Sequence, residues 1–124
     1  MAPFVVNAAF SIEIYLKTIH EAFGNLLRGH DLYKLYDQLS EEPRDMIVSA
    51  ANDVRPRYKL SGGMTIVSCI KDLNRAFENW RYLYEHERLS TEVQSIRFTM
   101  HTLFEASCRV RERRSKALNP TGNC

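Results

Sequence analysis

Ile66-Val67-Ser68-Cys69-Ile70-Lys71-Asp72-Leu73-Asn74-Arg75-Ala76-Phe77-Glu78-Asn79-Trp80-Arg81-Tyr82-Leu83-Tyr84 is the stretch whose pattern speaks most clearly about the fold. Its large apolar residues Ile66, Ile70, Leu73, Phe77, Trp80 and Tyr84 recur in steps of four and three. Those steps line one stripe of an α-helix, the side that must be buried against something else.

The same rhythm continues on both sides. Around Leu89 the chain is expected to turn, and Thr91 with Gln94 forms a capping box for a fifth helix. That helix carries Val93, Ile96, Met100, Leu103 and Val110 on one face. Before Ile66, the segment from Asp53 to Gly63 reads as the main loop, with Pro56 and the Ser61-Gly62-Gly63 turn signal. A third helix is expected from an N-cap at Ser40 to about Asn52, with Glu41 and Glu42 facing the helix dipole, Pro43 in the first turn, and Met46, Ile47 and Ala50 inward. A short second helix, about Asp31 to Leu39, presents Leu32, Leu35, Tyr36 and Leu39. The first helix is expected over Pro3 to Arg28, with Val5, Ala9, Ile12, Leu16, Ile19, Phe23 and Leu26 in its stripe. Pro3 suits its first turn and Gly29 its end, and Gly24 offers an earlier stop. Narrow stripes joined by short connections must cover one another. The expected fold is all-α, an up-and-down bundle of four to five helices.

Composition agrees and excludes several classes. A chain of 124 residues with 44% apolar and 26% charged residues is of ordinary globular make-up and fits one domain, expected over residues 1–119, with 120–124 a flexible tail. A net charge of +2 announces no nucleic-acid binder. The cations are nevertheless unevenly placed, with Arg55, Arg57 and Lys59 in one loop and Arg109, Arg111, Arg113, Arg114 and Lys116 in the last helix. Such runs complement a helix C-terminus and keep a surface soluble, or they bind phosphate. Three cysteines show no zinc-site spacing and no disulfide framework, so neither metal nor cofactor is expected. There is no signal-peptide pattern and no membrane-length apolar run, which makes a reducing cytoplasm the default and a membrane partner unexpected.

Two stretches resemble a known family. Phe10-Ser11-Ile12-Glu13-Ile14-Tyr15-Leu16-Lys17, followed by Gly29-His30-Asp31-Leu32-Tyr33-Lys34-Leu35, is similar to the HEPN pattern of a helix bearing Glu-x-x-x-Lys and then a His-Asp-Leu opening. Phe77 to His86 resembles the long late helix of that family. The resemblance spans about residues 7 to 110 and implies an HEPN-like bundle. It differs from the family in having only six residues ahead of Asn7, where HEPN domains usually have a further helix. Either that helix is lost, or the start is truncated, or another subunit supplies the packing; each would open an apolar face of the first helix, for which a second copy of the chain is the natural cover.

The resemblance also implies an activity. Many HEPN proteins are metal-independent endoribonucleases with an arginine, four to six residues, and then a histidine, and Arg81 and His86 fit. Guanidinium can hold a phosphate carrying extra charge while imidazole moves a proton near neutral pH. The implied reaction is attack by an RNA 2′-hydroxyl on the adjacent phosphate, within a prokaryotic toxin–antitoxin or defence system and with a cognate antitoxin protein as partner. Glu13, Lys17, Asn79 and Tyr82 are then the groove residues. Tyr82 stands where active members usually carry Asn, Asp or His. Five residues along an ideal helix separate two side chains by roughly 140°, so Arg81 and His86 converge only through a bend or a dimer partner.

Plainer readings compete at each position. Arg81 can pair with Glu78 or Glu85, and Glu13 with Lys17, as simple helical salt bridges. His86 can be a solvated residue at a helix end. His30 and Asp31 read as caps of the second helix. His20 and His101 have no evident partner. Trp80 and Tyr84 belong to the core stripe rather than to a stacking platform, and Tyr82 points elsewhere. The alternative function is a non-catalytic helical dimerisation module that binds a partner protein, a nucleotide or a nucleic acid.

Overall fold

The structure, a computed structural model, describes residues 2–60, 62–78 and 89–118. Five α-helices appear in chain order, with no strand among the described residues. They are α1 (Ala2–Ala22), α2 (Leu32–Asp37), α3 (Glu41–Val54), α4 (Ile66–Glu78) and α5 (Leu89–Leu118), and a 3₁₀ turn at Arg55–Arg57 follows α3. The all-α helical bundle expected from the periodicity is the fold. No described helix is long and apolar enough to cross a membrane.

Each helix buries the stripe its sequence marks. Ala9, Ile12, Leu16 and Ile19 of α1, Ile47 and Ala50 of α3, Ile66, Ile70 and Leu73 of α4, and Ile96, Leu103 and Val110 of α5 all lie in one hydrophobic cluster. Burying each Leu or Ile contributes about 1.5–3 kcal/mol. The long α5 is the organising element. It packs most extensively on α1 and α3 and also meets α4, while α2 bridges α1 and α4.

The boundaries differ from the sequence reading in four places, each for a local reason. First, α1 stops at Ala22 rather than Arg28. Gly24 takes φ +85°, and the amides of Gly24 and Asn25 donate to Glu21 and His20 carbonyls, the paired bonds of a Schellman stop. Leu26 is therefore exposed rather than part of the core stripe. Second, α2 is trimmed to Leu32–Asp37, although Leu39 is still buried. Third, α3 runs on to Val54, which is buried, so the loop starts two residues late with a 3₁₀ turn around Pro56. Ser40 does stand at its N-cap, without a side-chain capping bond. Fourth, α5 is already helical at Leu89, ahead of the capping box expected at Thr91.

The buried face of α5 is wider than its apolar stripe. Ser95, Thr99, Thr102 and Ser107 are buried beside Phe98 and Ala106. Thr99 donates to the Ser95 carbonyl at 2.7 Å and Ser107 to the Phe104 carbonyl at 2.7 Å, so two of these hydroxyls are satisfied within the helix. Flanked by α1 and α3 at once, α5 needs small residues where both neighbours approach.

Candidate functional site

The chemistry-bearing residues meet where α1, the start of α2 and α4 come together. Glu13 projects from α1 with its side chain only 13% exposed. Its Oε2 accepts from Lys17 Nζ at 3.2 Å, one turn along the same helix. Its Oε1 accepts from His30 Nδ1 at 2.8 Å, across seventeen residues of sequence. The Glu13–Lys17 pair is thus present as expected, and it belongs to a three-residue cluster that sequence spacing alone does not reveal.

The backbone explains why His30 arrives there. Gly29 adopts φ +109° with open space where a Cβ would stand, so conformation rather than crowding calls for glycine. Asp31 then caps α2, its Oδ1 accepting from the Lys34 amide at 3.0 Å. The same oxygen accepts from Asn74 Nδ2 at 3.2 Å, and Asn74 Oδ1 accepts from the Leu32 amide at 3.1 Å. Asn74 thereby ties α4 to the opening of α2. One turn earlier on α4, Lys71 Nζ lies 4.6 Å from the centroid of the Tyr33 ring. Asp31 fulfils its expected capping role, whereas His30 turns to Glu13.

This geometry sets the tautomer of His30. A carboxylate only accepts, so Nδ1 carries the proton it donates to Glu13. In the neutral ring Nε2 is left with a free lone pair, and the His30 side chain is 74% exposed. An imidazole anchored at one nitrogen and open at the other can take a proton from a substrate hydroxyl and return one. Lys17, 32% exposed beside it, supplies positive charge for an anion.

Other sequence-marked residues lie elsewhere. Arg81, His86, Asn79 and Tyr82, with Trp80 and Tyr84, fall outside the described residues, as does the tail at 120–124. His20 is fully buried, and its Nε2 stands 2.6 Å from the Leu35 carbonyl, locking α1 to α2. Its Nδ1 has no hydrogen-bond partner among the described residues. His101 Nδ1 is 3.0 Å from the Tyr58 hydroxyl. The basic run of α5 is partly consumed by ion pairs, Arg109 with Asp53 (2.6 Å) and Glu105 (3.1 Å), and Arg113 with Glu42. The hydrogen bond to Asp53, followed by that to Glu105, pushes the Arg109 pKa up, so it stays charged.

Cys69 is a buried free thiol, and burial raises its pKa. Cys108 is disulfide-bonded, which the sequence reading did not foresee. An open depression of about 740 Å³ lies between the start of α3 and Arg109, away from Glu13 and His30. It is lined by Ser40, Glu41, Glu42, Asp45, Met46, Ser49 and Arg109, and Arg109 is already paired with Asp53 and Glu105. Among the described residues no group of three or more His, Cys, Asp or Glu side chains converges as a metal site would require.

No protein-family model matches the chain, and no curated protein or solved structure matches it. The fold and the polar cluster therefore define the protein as an all-α helical bundle with an acid-anchored histidine at the α1–α2–α4 junction.

Proposed function

We propose that this protein is an HEPN-like, metal-independent endoribonuclease, acting in a prokaryotic toxin–antitoxin or defence system. The observation that carries the reading is the His30–Glu13 pair, with one imidazole nitrogen fixed and the other open beside Lys17. In the proposed reaction His30 joins His86 in proton transfer. One histidine removes the proton of a 2′-hydroxyl as its oxygen attacks the neighbouring phosphorus, and the other protonates the departing 5′-oxygen. Lys17 and Arg81 hold the phosphate. Asn79 and Tyr82 are the further residues proposed to line the RNA groove.

The test is cleavage of a labelled single-stranded RNA in excess chelator by the full chain. His30→Ala, Glu13→Gln and His86→Ala should each lower the rate at least about 100-fold, the usual contribution of a general acid or base. Native folding of His30→Ala is expected, since that side chain is mostly exposed. Cleavage unchanged in all three variants, or none by the native chain, would overturn the proposal.

A second reading rests on a different face. Phe10 and Ile14 of α1 are 48% and 60% exposed, and Ile14 stands about 200° around the helix from fully buried Ile12. Large apolar side chains one turn apart on an outer face support a non-catalytic dimerisation module that pairs with a second copy and binds a partner protein, nucleotide or nucleic acid. Sedimentation decides: a dimer that dissociates on Ile14→Glu supports this surface, and a monomeric native chain removes it. A cognate antitoxin is the partner proposed under the first reading.

A further inference from the structure

The Tyr58–His101 contact lies in neither reading, and its surroundings are cationic. Tyr58 follows the 3₁₀ turn in extended conformation (φ −129°, ψ 145°) and is half-buried against α5. Its ring meets Phe98 edge-on at 6.2 Å and His101 edge-on at 5.8 Å, and its hydroxyl reaches His101 Nδ1 at 3.0 Å. Arg57, the last residue of the 3₁₀ turn, and Lys59 flank Tyr58 in the chain, and both are exposed. Arg97 is exposed one turn before His101 on α5.

None of these three cations makes an ion pair among the described residues, unlike Arg109 and Arg113 further along α5. Arg55 is committed differently, donating to the Met64 carbonyl and holding the turn against the loop before α4. The phenol and His101 Nδ1 share one hydrogen bond that ties the segment after the 3₁₀ turn to α5. His101 is part-buried beside the same cations.

We propose that Arg57, Lys59, Arg97 and His101 form a phosphate-binding surface for the backbone of a single-stranded nucleic acid. Arg57 and Lys59 flank an extended residue, about 6.6 Å apart along the chain at the strand rise of 3.3 Å per residue. Two cations at that step can meet successive phosphates. Arg97 and His101 extend the row along α5. The ring of Tyr58 is occupied by its own packing, so the surface reads charge along a backbone and not base identity. This inference goes beyond the cleavage site, because it concerns affinity for a strand and not bond breaking.

The test uses the full chain and a fluorescein-labelled 2′-O-methyl oligouridylate of twelve nucleotides, which lacks the attacking hydroxyl, with oligothymidylate of equal length as the DNA arm. Fluorescence anisotropy should show the Arg57→Ala/Lys59→Ala/Arg97→Ala variant binding at least 20-fold more weakly. Its log K against log salt slope should flatten by about 2, since each single-strand phosphate contact contributes about 0.7. Equal losses for both oligonucleotides assign the surface to phosphates, as proposed. The double variant Arg111→Ala/Arg114→Ala, which removes exposed cations elsewhere on α5, should stay within threefold of native. Binding by the triple variant within twofold of native overturns the inference, as does an equal loss in the double variant. Cleavage of the dinucleotide UpA, whose single phosphate is the one attacked, reports on the groove separately and should be unaffected by the triple variant.

Discussion

Replacing Asn74 by alanine tests the joint on which the candidate site depends. Two bonds cross from α4 to the start of α2 through this side chain, one to the Leu32 amide at 3.1 Å and one to Asp31 at 3.2 Å. The first is to a part-buried backbone N–H, and leaving such a donor unsatisfied costs about 1–3 kcal/mol. The second involves a charged acceptor but is open to water on one side, so its net contribution is placed near 1 kcal/mol. The expected loss is about 2 kcal/mol. Asp31→Ala removes the cap of α2 and the same Asn74 contact, for about 2 kcal/mol in turn. The double variant should lose only about 3, because the shared bond can be lost once, which leaves a coupling of about 1 kcal/mol. Urea unfolding followed by circular dichroism reads these as midpoint shifts of about 1 M for each single variant. Singles costing under 0.5 kcal/mol, or additive within 0.3, would show that Asn74 does not bridge the helices. Cleavage by Asn74→Ala should fall as well, since the Asp31 cap fixes the chain next to His30.

Three further outcomes follow from burial. His20→Ala should cost about 3 kcal/mol in the same urea assay, because a fully buried ring and its bond to the Leu35 carbonyl both disappear; a loss under 1 kcal/mol would contradict the packing of α1 on α2. Ile12→Ala should cost about 3 kcal/mol while Ile14→Ala stays within about 0.5 kcal/mol for the isolated fold, a contrast that reads the rotational setting of α1 directly. Burial raises the pKa of Cys69 and of Tyr36 above their ordinary values. The neutral forms are therefore favoured by folding, and that contribution is whole below the ordinary thiol and phenol values and lost as pH climbs through the raised ones. Stability should fall on the alkaline side above about pH 9, and Cys69 should resist a thiol reagent at pH 8 until urea unfolds the chain, with fast native labelling as the contrary result.

How much of this was legible beforehand varies with the range of the interaction. Helix existence was local. Ile66, Ile70 and Leu73, or Ile12, Leu16 and Ile19, declare a helical stripe by spacing alone, and all are buried. Helix ends were less legible because two signals competed. Gly24 and Gly29 both offered a stop to α1, and only the bonds from Gly24 and Asn25 back to Glu21 and His20 decide for the first. Leu26 kept the apolar rhythm beyond that stop and misled the reading for the same reason. The breadth of the α5 core was missed because serine and threonine count as polar in a periodicity argument, although Thr99 and Ser107 satisfy themselves on their own helix.

The candidate site divides along the same line. Glu13 and Lys17 sit four residues apart, so their pairing is written into one helix and could be expected without coordinates. His30 reaches Glu13 only because a Schellman stop, a positive-φ glycine and an Asp31–Asn74 clasp fold the chain back over seventeen residues. His101 finds Tyr58 across forty-three residues in the same way. Amino-acid order by itself determined that oily stripes would make helices and that those helices would share an interior, since spacing of 3.6 residues per turn is a property of each segment alone. Which polar side chains would meet was decided only by tertiary packing, because a hydrogen bond between distant residues depends on where two helices cross, and no local pattern carries that information.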